Sequence, residues 1–395
     1  MQKATREQTK AHNKTLVLNT IYKHQDVSRA DLARLTNLTR STISEIVSEL
    51  IEDGLVTEMG YGQPAGGKPP VLLEVDKEAR QIIGLDLAND EFRGALVNLR
   101  GEIQERVNAP VSEHGGDIAL ERVFELLEQL IYLAKKPVIG IGIGAPGLMD
   151  SKKGIVHNAV NLDWENLPIG NILKERYHLP VYIANDSQVS ALAEYNFGEN
   201  GNVQNLLVVK IGRGVGSGIV LNQQLYLGDG CGAGEIGHIQ IDAAGIQCRC
   251  GNYGCLETKI SSRAIRQRVK DILLSNPDSP LHAYSDTGSA LSMDEILKAY
   301  HAGIREIVDL VDEVGKNLGS ALAYIVSALN IHRVVIAGSV SSLGEGLLTP
   351  TLHRFQACTL PILARNTAIT ISTLGDDIVI LGAAGMVLQY ELGIF

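Results

Sequence analysis

No apolar stretch in the 395-residue chain reaches the about 20 residues that cross a bilayer; the longest, residues 138–149, is broken by glycine and proline. The first residues, Met1 to Gln8, lack the apolar core of a secretory signal. A cytoplasmic, membrane-free protein is therefore expected. Positive charge is short, with 35 Lys/Arg against 45 Asp/Glu and a net charge of −10. That excludes a protein that coats nucleic acid over its whole surface. Cysteine is scarce, and three of the five fall within eight residues, which speaks for metal binding and against a disulfide framework. With 45% hydrophobic residues, disorder is excluded as the main state. The length fits two or three domains at about 150 residues each.

The charge is unevenly spread. Residues 1–44 hold eight Lys/Arg and three acids, leaving 27 basic and 42 acidic groups for the rest. A basic head on an acidic body points to local contact with nucleic acid. Residues 13–24 put Leu16, Val17, Thr20 and Ile21 on one helical face. Ser28, three residues before Asp31, opens a second short helix with capping-box spacing. Thr39 caps a third helix from Arg40 to about Asp53, and Gly54 stops it. Two strands, 55–58 and 71–75, flank a tip reading Gly66-Gly67-Lys68-Pro69, which completes the plan of a winged helix-turn-helix over residues 1–76. The expected DNA contacts are Ser28, Thr39, Arg40, Ser41, Thr42 and Ser44, with Lys68 at the minor groove. The alternative is a three-helix protein-interaction domain, since hydroxyl residues cap helices in any case.

Beyond residue 80, strands and helices alternate, which predicts an α/β body. Strands at 82–87, 94–99 and 102–107, a helix at 117–133, and strands at 138–143 and 181–184 are followed by a helix at 187–197. A second cycle starts with strands at 205–211, 218–221 and 224–227. Helices at 264–274, 293–299 and 304–328, a strand at 334–337 and a final helix within 378–391 complete it. The repeated plan resembles the duplicated actin-like ATPase fold, with a first lobe at 80–198, a second at 199–377, and residues 378–395 rejoining the first.

The sharpest motif is Gly234-Glu235-Ile236-Gly237-His238, followed after nine residues by Cys248-Arg249-Cys250 and Cys255. One imidazole and three thiolates are the donor set of tetrahedral Zn²⁺. No position is left open for catalysis, so a structural site is expected. The alternative is three reduced cysteines in an ordinary loop.

These residues carry a resemblance that covers nearly the whole chain. The run from Ile211 through Gly218 to His238 is similar to the long signature of the ROK family, which joins sugar-responsive repressors with sugar kinases. The winged helix, Gly66 to Val71 and Gly84 to Ala88 resemble the repressor branch, of the xylose-repressor type. The resemblance implies a sugar held by the Gly144-Ala145-Pro146-Gly147 loop, Asn185-Asp186, Glu235, His238 and Glu257, with His238 serving metal and sugar alike. Asn185 and Asp186 can equally cap the helix that follows, and the two roles are compatible.

One departure separates the chain from the kinases of the family. Their Asp-x-Gly-Gly-Thr phosphate turn is replaced by Asp86-Leu87-Ala88-Asn89-Asp90, which closes the backbone approach and adds negative charge. No bound ATP and no kinase activity are expected. The resulting expectation is a repressor of sugar-utilisation genes that binds a palindromic operator as a homodimer, or a tetramer, associates with the nucleoid when bound, and is released by a monosaccharide. Xylose comes first; glucose and N-acetylglucosamine follow, because the Asn-Asp pair resembles the hexose pattern. The rivals are a sugar kinase carrying a DNA-binding head, and a repressor without small-molecule control. Trp164 stacks on a sugar or fills the core. His157 and Asn158 lie near enough in sequence to reach the cleft. Cys231 and Cys358 read as plain thiols.

Overall fold

A computed structural model describes residues 5–63, 69–88, 91–110, 115–199, 203–285 and 291–394. In the head, α1 (Arg6–Lys23) is opened by a Thr5–Gln8 capping box, and a two-residue strand β1 (Val27–Ser28) follows. The helix-turn-helix proper is α2 (Arg29–Thr36) and α3 (Arg40–Glu52), joined at Asn37, which adopts the left-handed conformation that a tight turn requires. Strands β2 (Val56–Tyr61) and β3 (Val71–Val75) form a three-stranded sheet with β1, in the order β1-β3-β2. The wing tip with Lys68 lies outside the described residues.

The body contains two five-stranded sheets with the same plan. In the first, β4 (Gln81–Asp86), β5 (Glu91–Asn98) and β6 (Ile103–Pro110) form an antiparallel meander. Helix α4 (Asp117–Leu133) leads to β7 (Val138–Ala145), which runs parallel to β4. A small sheet of β8 (Leu148–Asp150), β9 (Ile155–Ala159) and β10 (Trp164–Leu167), then α5 (Ile169–Tyr177), intervene before β11 (Val181–Asn185) joins β7 in parallel. The sheet order is β11-β7-β4-β5-β6. After α6 (Asp186–Asn196), the second sheet repeats the scheme. Strands β12 (Leu206–Ile211), β13 (Val215–Leu221) and β14 (Gln224–Leu225) form its meander. Helices α7 (Glu257–Ile260), α8 (Ser262–Ser275), α9 (Met293–His301) and α10 (Arg305–Leu329) precede β15 (Arg333–Ala337). Helices α11 (Glu345–Cys358) and α12 (Pro361–Asn366) precede β16 (Ala368–Ile371). The order β16-β15-β12-β13-β14 mirrors the first sheet, strand for strand. This is the duplicated actin-like fold with an N-terminal winged helix.

The last helix, α13 (Ile378–Val387), is buried along its whole length and packs on α6, β7 and β4. Its continuation carries Ile394 into one apolar cluster with Val17, Leu18 and Ile21 of α1. Head and body are also tied by polar contacts. Arg100 Nη1 donates to the Tyr22 carbonyl at 2.7 Å while its guanidinium lies 4.2 Å from the Tyr22 ring centre. Arg80 Nη2 donates to the Asp53 carbonyl at 2.8 Å. Replacing Arg100 by alanine is expected to loosen the head by about 1–2 kcal/mol. Limited proteolysis between head and body should then run faster; an unchanged rate would show that the apolar seam suffices.

Candidate sugar cleft, thiolate loop and DNA-facing helix

Between the two five-stranded sheets lies a cavity of about 390 Å³. Among its walls are Pro146, Gly147, Asn185, Asp186, Glu235, His238 and Glu257, residues scattered over more than 110 positions of sequence. Gly144 is not on the wall. It is buried inside β7, where a Cβ would sit 2.4 Å from Val379 Cγ1, so packing against α13 is what demands glycine there.

Each polar group is fixed by local structure. Asn185 caps α6 by accepting the Ser187 amide at 2.9 Å, and its Nδ2 donates to the Gly147 carbonyl at 3.0 Å. Cap and wall are thus one residue, and it ties the Gly-x-Pro-Gly loop to α6. Asp186, the first residue of α6, receives Lys210 Nζ at 2.6 Å. Burial draws the Lys210 pKa down, yet the attraction of Asp186 and Asp86 outweighs it and the net shift is upward, so the ammonium stays charged. Glu257 heads α7 and accepts the Val215 amide at 2.9 Å through Oε2. Glu235 is pushed upward by burial, with His238 opposing and the charges of Asp186 and Glu257 adding to the rise. Gly234 allows the chain to pass close to β13 just before Glu235: its φ is +101° and a Cβ would meet the Ser217 carbonyl oxygen at 1.9 Å.

His238, Cys248, Cys250 and Cys255 bring one donor atom each to within 4.8 Å of one another. Cys250 Sγ and Cys255 Sγ are 3.7 Å apart, and Cys248 Sγ is 3.7 Å from His238 Nδ1. Zn–S bonds of about 2.3 Å in a tetrahedron require sulfur separations close to these, so the cluster fits a tetrahedral metal ion. With Nδ1 toward the Cys248 sulfur, Nε2 of His238 faces Glu235 Oε2 at 3.8 Å. The imidazole therefore joins the cysteine cluster to the cavity wall.

Other cavity residues escaped the motif reading. Lys210, Arg213, Arg249 and Arg263 all line it, as does Asn161. Arg249, between two of the cysteines, donates to Asn161 Oδ1 at 2.6 Å across the cleft. Of the pair held open by the sequence, Asn158 lines the cavity, whereas the His157 ring turns to Asn166 at 3.4 Å. Trp164 is a core residue: it is 4% exposed and its Nε1 donates to the Gly116 carbonyl. At the end of β4, Asp86 is fully buried, accepts the Ala88 amide at 2.9 Å and pairs with Arg93. Asn89 and Asp90 lie outside the described residues.

On the head, α3 exposes Arg40, Ser41 and Ser44, and Thr42 is half-buried. Thr39 is exposed but caps the helix, accepting the Thr42 amide at 3.2 Å. Ser28 corrects the sequence reading. It is 3% exposed and its hydroxyl donates to Asp31 Oδ2 at 2.6 Å, so it caps the start of α2 from inside and offers nothing to DNA. Much of the head's basic excess is also neutralised within the head. Lys10 pairs with Glu49 at 2.6 Å, Lys14 with Asp53 at 2.7 Å and Arg29 with Glu58 at 2.9 Å. Among the described residues, no helix is long and apolar enough to cross a membrane.

Comparison with known proteins agrees with these features. The ROK family model matches residues 82–390, and a winged helix-turn-helix DNA-binding model matches residues 12–57. A xylose repressor of Caldicellulosiruptor bescii is 34% identical over 95% of both chains. The crystal structure of a ROK family transcriptional regulator, a homologue of the E. coli MLC protein, superposes with a TM-score of 0.84 at 30% identity, covering 98% of each chain. A Streptomyces griseus ROK glucokinase in complex with glucose and AMPPNP gives a TM-score of 0.72 at 27% identity, covering 78% of this chain and 99% of its own. By the extent of the family match and the full-length identity to a repressor, the chain belongs to the ROK family, in the form that carries an N-terminal winged helix-turn-helix.

Proposed function

We propose that this protein is a transcriptional repressor of sugar-utilisation genes, released from its operator by a monosaccharide bound in the cleft between the two body sheets. The observation that carries the reading is the convergence of Asn185, Asp186, Glu235, His238 and Glu257 on one cavity in a chain whose α3 stands exposed on a winged helix. Carboxylates and amides are the groups that hold sugar hydroxyls in pairs. The division into a head to residue 76, a first lobe at 80–198 rejoined by 378–395, and a second lobe at 199–377 belongs to the same proposal. So do a structural Zn²⁺ on His238, Cys248, Cys250 and Cys255, a homodimer or tetramer on a palindromic operator, and a cytoplasmic location that becomes nucleoid-associated on DNA.

Xylose is the first candidate effector, supported by the xylose-repressor relative; glucose and N-acetylglucosamine follow. The effector acts through its different affinity for the DNA-competent and released states, and a switch from 99% to 1% bound needs about 5.5 kcal/mol of that difference. The test is to titrate the protein onto DNA from upstream of its own gene, at fixed salt, with and without each sugar. Release by one sugar supports the reading and names the effector; tight binding that no sugar alters overturns the effector role. Replacing Arg40 by alanine should weaken operator binding about 10- to 100-fold and leave sugar binding intact. Unchanged DNA affinity would remove Arg40 from the interface.

The second reading, a kinase with a DNA-binding head, draws on the glucokinase likeness. The pairing of the buried Asp86 with Arg93 speaks against it, and ATP turnover on a monosaccharide decides.

A further inference from the structure

Asp186 on the cleft wall and the fully buried Asp86 are each held by a cation from within the fold. Lys210 Nζ lies 2.6 Å from Asp186 Oδ2, and Arg93 Nη2 lies 2.5 Å from Asp86 Oδ2. Lys210 comes from the second sheet and both carboxylates from the first lobe, so its ion pair crosses the cleft floor. The Lys210 side chain is 9% exposed and that of Asp86 is fully buried. Lys210 also borders a second cavity, of about 310 Å³, walled by Arg93, Gly212, Arg213, Gly338 and Ser339. Its ammonium therefore stands where the sugar cavity meets this neighbour.

A phosphoryl transferase working across such a boundary needs a carboxylate free to take the hydroxyl proton. It also needs room for a divalent cation that comes with the phosphates. Here the carboxylate at the boundary is already paired, and a fixed positive charge fills the gap.

We propose that Lys210 is a built-in cation of the cleft: its ammonium takes the place of a divalent metal beside Asp186 and Asp86, orients Asp186 as a hydrogen-bond acceptor for a sugar hydroxyl, and so makes the cleft a receptor. Lys210 is a positioning residue in this scheme. Glu235 and Glu257 complete the acidic wall facing Asp186, Arg93 is a second cation beside the pair, and Arg213 lines both cavities with Lys210. The sugar part rests on the function proposed above; the cation part does not.

The test uses the full chain, saturated with zinc, as wild type, Lys210→Met, Lys210→Gln and Lys210→Arg. Mn²⁺ binding is followed by electron paramagnetic resonance, and binding of D-xylose, D-glucose and N-acetylglucosamine by calorimetry. The neutral variants should gain an Mn²⁺ site about tenfold or more tighter than any in the wild type, because Asp186 loses its cation and the charge of Asp86 nearby is left less compensated. Adding Asp186→Asn should remove the gain, and Lys210→Arg should behave as wild type. Sugar affinity should fall about tenfold in the neutral variants and recover in part with arginine. A folded Lys210→Met or Lys210→Gln protein without the Mn²⁺ gain, or a gain that survives Asp186→Asn, overturns the cation assignment. Unaltered sugar affinity overturns the positioning role. Wild type that binds none of the sugars sinks the sugar reading instead, while the Mn²⁺ result still decides the cation.

Discussion

Replacing Cys255 by serine is expected to empty the thiolate loop of metal and to lower the melting temperature by about 5 °C or more. Cys255 is fully buried, its Sγ sits 3.7 Å from Cys250 Sγ, and its thiol also reaches the His238 carbonyl at 3.6 Å. Losing a fourth ligand leaves a site that holds Zn²⁺ poorly, and structural zinc supplies about 10–16 kcal/mol in isolated peptide folds. The four ligands lie within one loop, so a few kcal/mol are at stake, each moving the midpoint by about 2–4 °C if the lobe that carries the loop unfolds as its own unit. Elemental analysis should find about one zinc per chain in the wild type and close to none in the variant. The effect should reach the sugar as well, because the imbalance frees the His238 ring whose other nitrogen faces Glu235. A folded Cys255→Ser protein with normal metal content would remove this thiol from the site.

Replacing Glu257 by alanine should produce a repressor that holds its operator but ignores sugar. The carboxylate enters the cavity from the start of α7 and is anchored by the Val215 amide. A hydrogen bond from a hydroxyl to a charged acceptor contributes about 1.5–3 kcal/mol, so effector affinity should fall about 10- to 100-fold. The orphaned Val215 amide adds a destabilisation of about 1–3 kcal/mol, visible as a lower melting temperature. DNA binding without sugar should stay at the wild-type level, since α3 lies in the head. Electrophoretic titration with and without the effector reads both effects. Release by sugar at wild-type concentration would show that Glu257 is a structural cap only.

Much of this was readable from the residues. The helix at 117–133 emerged with its bounds, because its apolar period is strong and glycine precedes it. The three cysteines and His238 come together as their spacing implied. What escaped has identifiable causes. The strands of the small sheet, β8 to β10, are three to five residues long and separated by turn residues, so no alternation has room to show. Helix α11 runs through Pro350, a residue that locally argues for a break. Lys210 stands in a strand reading Leu-Leu-Val-Val-Lys-Ile, where nothing in the pattern says that its partner lies on α6. Ser28 was misplaced because a cap that faces inward and one that faces a phosphate look alike in sequence.

The seam between head and body changes what the effector has to do. Val17, Leu18 and Ile21 share a cluster with Ile394, and Arg80 and Arg100 clamp the backbone of the head. The reading head is bolted to its chassis and does not trail on a tether. It surrenders little freedom on meeting DNA, because its aim is set before contact. By the same token, it cannot be silenced by letting a leash go slack. In the proposed mechanism, a tilt of the chassis turns the reading helix with it. A transplanted head from another repressor would have to bring its own half of the seam, or lose its aim.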